Sequence, residues 1–168
     1  MMVDLANSRK SGQIWVSAVL FIALGVIAIS LILAAALPLV NKMVDRNTAV
    51  QTKQILISID DTVRTVANEG PGSQRQITPL IIDKGELDID GEEETISWSM
   101  ETKSLLMEKD IEIKEGNVHQ ILTSTFVEEI NKMTLWIEYE KVDILLESDF
   151  QSPFSGRYTL LVKHTGAF

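Results

Sequence analysis

Between Ser11 and Asn41 the sequence contains no charged residue, and within it Ile14–Val40 (IWVSAVLFIALGVIAISLILAAALPLV) has only Ser17 and Ser30 as polar side chains. A hydrocarbon core of ~30 Å is crossed by about 20 apolar helical residues, so these 27 residues are long enough to span with some to spare. The two serines can hydrogen-bond back to their own helix and do not oppose spanning. A secretory signal has an apolar stretch of only about 7–15 residues, shorter than this one, although Ala34-Ala35-Ala36 has the small side chains of a cleavage site. A 168-residue chain is too small to wrap such a helix completely as a buried core element. The expected class is therefore a single-pass membrane segment carrying one domain.

The charge distribution agrees with that division. The net charge is -9, yet residues 1–13 contribute +1 through Asp4, Arg9 and Lys10, while residues 41–168 hold 13 Lys or Arg against 23 Asp or Glu. An acidic domain repels phosphate backbones, so nucleic acid is not an expected partner. Arg9 and Lys10 precede the span, with Lys42 and Arg46 beyond it. Basic flanks favour the cytoplasmic side, and with so short an N-terminus the expected arrangement is N-terminus inside and the C-terminal domain outside. There is no cysteine, which removes disulfides, thiolate catalysis and Cys-ligated metals, and there is no Asn-x-Ser/Thr triplet.

Helical periodicity continues past the span. Ile55, Ile59, Val63 and Val66 recur at spacings of 4, 4 and 3, with Asp60, Asp61 and Arg64 off the stripe, and Glu69-Gly70-Pro71-Gly72 closes the helix. One helix is expected from about Gln13 to Asn68, bent at Pro38, and its 56 residues at ~1.5 Å each span roughly 84 Å. The period then changes to two. Thr95–Met100 places Ile96, Trp98 and Met100 on one face, and Asp110–Lys114 alternates through Ile111 and Ile113. Glu115-Gly116-Asn117 reads as a hairpin turn into Val118–Glu128. Met133, Leu135, Ile137 and Tyr139 make another apolar face, Tyr158, Leu160 and Val162 a last one, and Asp90-Gly91 a further turn. The expected fold class is α+β: a long N-terminal transmembrane and spine helix, then a β-rich head of five to seven strands. That head is an antiparallel sheet or β-sandwich packed on the helical stripe.

The residues Arg9-Lys10-Ser11-Gly12-Gln13-Ile14-Trp15-Val16, followed at once by the uncharged span, resemble the processing site of archaeal type IV pilins with their class III signal peptides. The resemblance covers about the first 70 residues. It implies a leader at 1–12 cut between Gly12 and Gln13, a helix at 13–69 with its transmembrane part at 14–40, and an extracellular head at 73–168. Many pilins have Glu at the fifth mature position, where this chain has Ser17. The resemblance further implies a membrane stage, a prepilin peptidase-like processing enzyme, an assembly ATPase and platform protein, and self-association into a homo- or hetero-polymeric surface filament. Ile14, Trp15, Ser17, Ala18, Ala23, Gly25, Ala28 and Pro38 would then lie where neighbouring helices pack. An adhesive or surface-attaching role is expected. The alternative is a bitopic anchored protein whose head binds an envelope or surface-layer partner, as the stator-like components of archaella do.

Enzymatic activity is not expected. His119 and His164 are the only histidines, nothing in the spacing brings them together, and no nucleophile motif accompanies them. The acidic run Asp83, Glu86, Asp88, Asp90, Glu92, Glu93 and Glu94 lacks the helix-loop-helix calcium spacing and reads as a solvated turn, so no cofactor is expected. Trp136 should point away from Leu135, Ile137 and Tyr139, either under a second layer or toward a partner subunit.

Overall fold

The computed structural model describes residues 6–127, 129–147 and 152–166, with side-chain burial from Trp15 onward. It divides into two compact units, Met1–Asn41 and Lys42–Phe168. One helix, α1, runs from Ala6 to Glu69 and contains Pro38. In the first unit it is the whole of the described structure. In the second, its residues 42–69 join six strands: β1 (Gln74–Asp90), β2 (Thr95–Thr102), β3 (Ile113–Glu115), β4 (Val118–Ser124), β5 (Asn131–Glu138) and β6 (Phe154–Lys163). The strands form one antiparallel sheet in the order β3-β4-β5-β2-β1-β6. Among the described residues there is one sheet and not the two of a sandwich. The covering layer is the helix itself.

The helical residues that meet the sheet recur at alternating spacings of 3 and 4: Asp45, Ala49, Thr52, Leu56, Ile59, Val63 and Val66. Ile59, Val63 and Val66 are buried as the sequence implies. Leu56 is fully buried, whereas Ile55 is only half-buried at the edge of the stripe. Asp60, off the apolar stripe in the sequence, is buried as well, bonded to Arg64 and Asn117. Facing the helix are Leu80, Ile82, Leu87, Ile96, Trp98, Met100, Leu122, Met133, Leu135 and Ile137, in one continuous core. Alternation along β2 and β5 is complete, since every second residue is buried.

Two strand expectations change. Ile111 and Ile113 are exposed and only Ile113–Glu115 pairs, as a short edge strand on β4. β4 ends at Ser124 because the chain reverses at once into β5, with the Thr125 amide donating to the Ile130 carbonyl at 3.1 Å. Glu128 lies outside the described residues. The Gly116-Asn117 turn and the turn after Asp90 are where the sequence places them.

β1 has no clean period in the sequence because its register shifts twice, between Ile77 and Leu80 and between Ile82 and Leu87. The second shift surrounds Gly85, which has φ +80; a Cβ there would stand 2.5 Å from the Ser99 carbonyl oxygen and 2.8 Å from the Trp98 indole nitrogen. That same nitrogen donates to the Lys84 carbonyl at 3.0 Å. The buried Trp98 therefore fits against backbone that only glycine provides. Gly85→Ala should destabilise the head by about 2–4 kcal/mol in chemical denaturation, from strain at positive φ plus displacement of Trp98.

Candidate assembly surface

The chain carries two surfaces of different chemistry. The first is the apolar half of α1. Among the described residues, eighteen large apolar side chains between Trp15 and Val44 are exposed, from Trp15 at 72% to Val44 at 54%. Full burial of such a side chain is worth ~1.5–3 kcal/mol, so leaving all of them in water costs on the order of tens of kcal/mol. That exceeds the net stability of a typical domain, about 5–15 kcal/mol. The segment is long and apolar enough to cross a membrane, and none of it is buried by its own chain. Such a helix is compatible with a single-pass membrane anchor.

Backbone polarity is already satisfied on this surface. The Ser30 hydroxyl donates to the Val26 carbonyl at 2.8 Å, as a serine on a helix in an apolar medium must. Trp15, Ser17, Ala18, Ala23, Ala28 and Pro38 all face outward. A Cβ on Gly25 would meet nothing within 4 Å, so no contact inside the chain requires glycine there. Arg9, Lys10, Gly12, Gln13 and Ile14 belong to α1 by backbone, and their side chains lie outside the described residues.

The second surface is polar and lies in the head, where buried carboxylates fasten the helix to the sheet. Asp45, 5% exposed, is bonded to the Lys84 ammonium of β1 and accepts from the Thr102 hydroxyl at the end of β2; the Ser104 hydroxyl adds a bond at 3.2 Å. Burial pushes the Asp45 pKa up, but Lys84 and the two hydroxyls outweigh it and hold the carboxyl below its ordinary value. Asp60, also 5% exposed, accepts from Arg64 Nε at 2.9 Å and from the Asn117 amide in the β3–β4 turn at 2.7 Å. Lys53 reaches Glu115 at 2.6 Å between them. Asp45 and Asp60 are 15 residues apart in the sequence, roughly 22 Å along a helix. That matches the ~26 Å length of an eight-residue strand such as β5, so the two carboxylates grip opposite ends of the sheet.

Tyr139 stands beside the second clamp. Its hydroxyl is buried beside the Asp60 carboxylate. Burial and then the Asp60 charge push its pKa well up.

On the outer face Trp136 is half-buried, directed away from Leu135 and Ile137 as expected. Register brings it opposite His119 of β4, and the two rings stack at 5.2 Å between centroids and 24° between planes. The indole donates to Glu138 at 2.8 Å, and His119 Nδ1 pairs with Glu112 at 2.5 Å. His164 follows β6, which has three strands between it and β4 in the sheet order, so the histidines stand apart. In the acidic run the Asp90 carboxylate accepts from the backbone amides of Glu92 and Glu93, closing its own turn. Among the described residues no group of three or more His, Asp or Glu side chains is arranged to hold a metal ion.

The clamp makes head stability acid-sensitive. Because the Asp45 pKa is depressed on folding, its contribution is present above the unfolded carboxylate value near 4 and is lost as pH falls through the folded value. Denaturation of the detergent-solubilised chain should show Asp45→Ala about 1–3 kcal/mol less stable at neutral pH. Asp45→Asn should lose less stability than wild type between pH 5 and 3.

No protein-family model, no curated protein and no solved structure matches this chain.

Proposed function

We propose that the chain is a non-enzymatic structural subunit of an archaeal type IV pilus-like surface filament, built by packing of its N-terminal apolar helices and serving adhesion or surface attachment. The observation that carries this reading is the continuous helix with two kinds of surface. Its first part has apolar side chains all round and no burial, and its last 28 residues are fixed in the head by core contacts and buried carboxylates. A segment of this kind that remains part of the mature protein has two apolar environments open to it: the bilayer before assembly and the helices of neighbouring copies afterwards.

Moving such a helix from lipid to a protein core gains little hydrophobic free energy, so cohesion comes from close packing. Ala18, Ala23, Gly25 and Ala28 supply small side chains for close approach, and head-to-tail contacts that do not close on themselves extend into a fibre. Within the same reading a prepilin peptidase-like enzyme cuts after Gly12, and an assembly ATPase and platform protein drive polymerisation.

A second reading is favoured by the outer face of the sheet. The half-exposed Trp136–His119 stack is a rigid aromatic patch of the kind enriched at protein interfaces, which suits a bitopic anchored protein whose head binds an envelope or surface-layer partner. Mass spectrometry of the chain from its native host separates the two. A mature N-terminus at Gln13 is expected for the filament subunit, and an intact N-terminus at Met1 contradicts it. Gly25→Leu should leave membrane insertion unchanged while reducing surface filaments severalfold by electron microscopy, because the added side chain separates packed helices. Unchanged filament number would remove Gly25 from the packing surface.

A further inference from the structure

The sheet of the head has two free edges. Among the described residues β6 pairs only with β1, and β3 only with β4. Such an edge presents unpaired amides and carbonyls, and proteins that stay monomeric blunt it with charge, proline or short strands. β6 is ten residues long, and its stretch Thr159-Leu160-Leu161-Val162 is uncharged. Tyr158, Leu160 and Val162 pack at the margin of the core on the helix side, while Leu161 on the outer side is 56% exposed.

The opposite edge carries matching chemistry. Glu115 lies on the helix side, because Lys53 of α1 reaches it and its cross-strand partner Val118 is in the core. Alternation puts Ile113, and Ile111 before it, on that same side, yet they are 43% and 44% exposed. These two isoleucines have the direction of core residues without the cover. Charge is complementary as well. β6 holds Arg157 and Lys163 and no acid, whereas residues 108–115 hold Glu108, Asp110, Glu112 and Glu115 against Lys109 and Lys114.

Topology lets the two edges meet. Every strand pairing is antiparallel, so in an order of six the outermost strands β3 and β6 run in opposite directions. A second head set beside β6, with its helix on the same face, therefore presents β3 antiparallel to it. The register that sets Leu160 beside Ile113 also sets Val162 beside Ile111 on the helix side. On the outer side it sets Leu161 beside Glu112 and brings Lys163 to Asp110.

We propose that β6 of one copy pairs edge to edge with β3 of the next, so that neighbouring heads continue one antiparallel sheet and bury Ile111 and Ile113 against Leu160 and Val162. The inference rests on the self-association in the proposed function and adds to it a contact between heads. Because two different edges are joined, each copy keeps one of each for a further neighbour, and the series stays open as a fibre requires. Pairing of β6 with a second β6 is opposed by charge, since centring Leu160 on itself sets Arg157 opposite Lys163.

The absence of cysteine permits a direct test. The full-length double variant Glu112→Cys/Leu161→Cys and the two single variants are made in the native host and treated with a short bis-maleimide. Residues 112 and 161 stand at opposite edges of a six-stranded sheet, about 24 Å apart, so a link between them joins two chains. The double variant should give a ladder of dimers, trimers and larger multimers, and each single variant only monomer. Adding Ile113→Lys, at an exposed position, should thin the ladder severalfold, and a ladder it leaves unchanged overturns the proposal. A dimer from either single variant assigns that edge to self-pairing. An adduct whose mass is not a multiple of this chain assigns it to a different protein, and both results overturn the proposal. Filaments in electron micrographs without a ladder overturn the edge contact and leave the filament reading standing. A ladder without filaments supports the edge contact and removes the filament reading, and absence of both overturns both.

Discussion

A single helix that must satisfy two different surroundings governs this molecule. From Trp15 to Val40 it presents apolar side chains in every direction, and from Asp45 onward it presents one apolar stripe between polar flanks. The hydrophobic effect acts on both parts with opposite consequences for the fold. The stripe at Leu56, Ile59 and Val63 is consumed by the sheet, which becomes a core because of it. The apolar part has no such partner in its own chain, so its energetics are those of whatever surrounds it.

Buried charge manages the change between these two regimes. Asp45 is the first buried residue of the helix among those described, and its carboxylate is held by a lysine and a hydroxyl from the sheet and by the Ser104 hydroxyl just after β2. Removing a carboxylate from water is repaid only when nearly all its lone pairs are occupied, and here they are. Such a site makes sliding of the helix by one residue costly, because hydrophobic contacts tolerate a shift more readily than a fourfold polar constellation does. Asp60 with Asn117 does the same at the far end. Two polar pins separated by the length of a strand give the helix one position on the sheet.

Much of this was legible in the sequence and some was not. The alternation of Ile96, Trp98 and Met100, and of Met133, Leu135 and Ile137, is visible because those strands pack on one face only. The helix continuing past the span was visible through Ile59, Val63 and Val66. Its contact with the sheet reaches further back than hydrophobic periodicity indicates, since Asp45 and Thr52 occupy core-facing positions and polar residues carry no such signal. β1 was hidden because Pro79 and the bulge at Gly85 break its period. Ile111 misled because an exposed isoleucine near an edge strand resembles a core residue in the sequence. The outward direction of Trp136 followed from its position between Leu135 and Ile137, but its stacking on His119 depends on cross-strand register, which one sequence does not reveal.

The central claim is that the exported head keeps its apolar helix, and that copies of this helix bury one another. Electron cryomicroscopy of filaments sheared from the native host tests it most directly. The account predicts a filament whose core is a bundle of helices into which residues 13–40 of this sequence can be built, with the six-stranded heads outside. A chain found singly in lipid with no filament containing it, or filaments whose subunits lack that helix, would contradict the account.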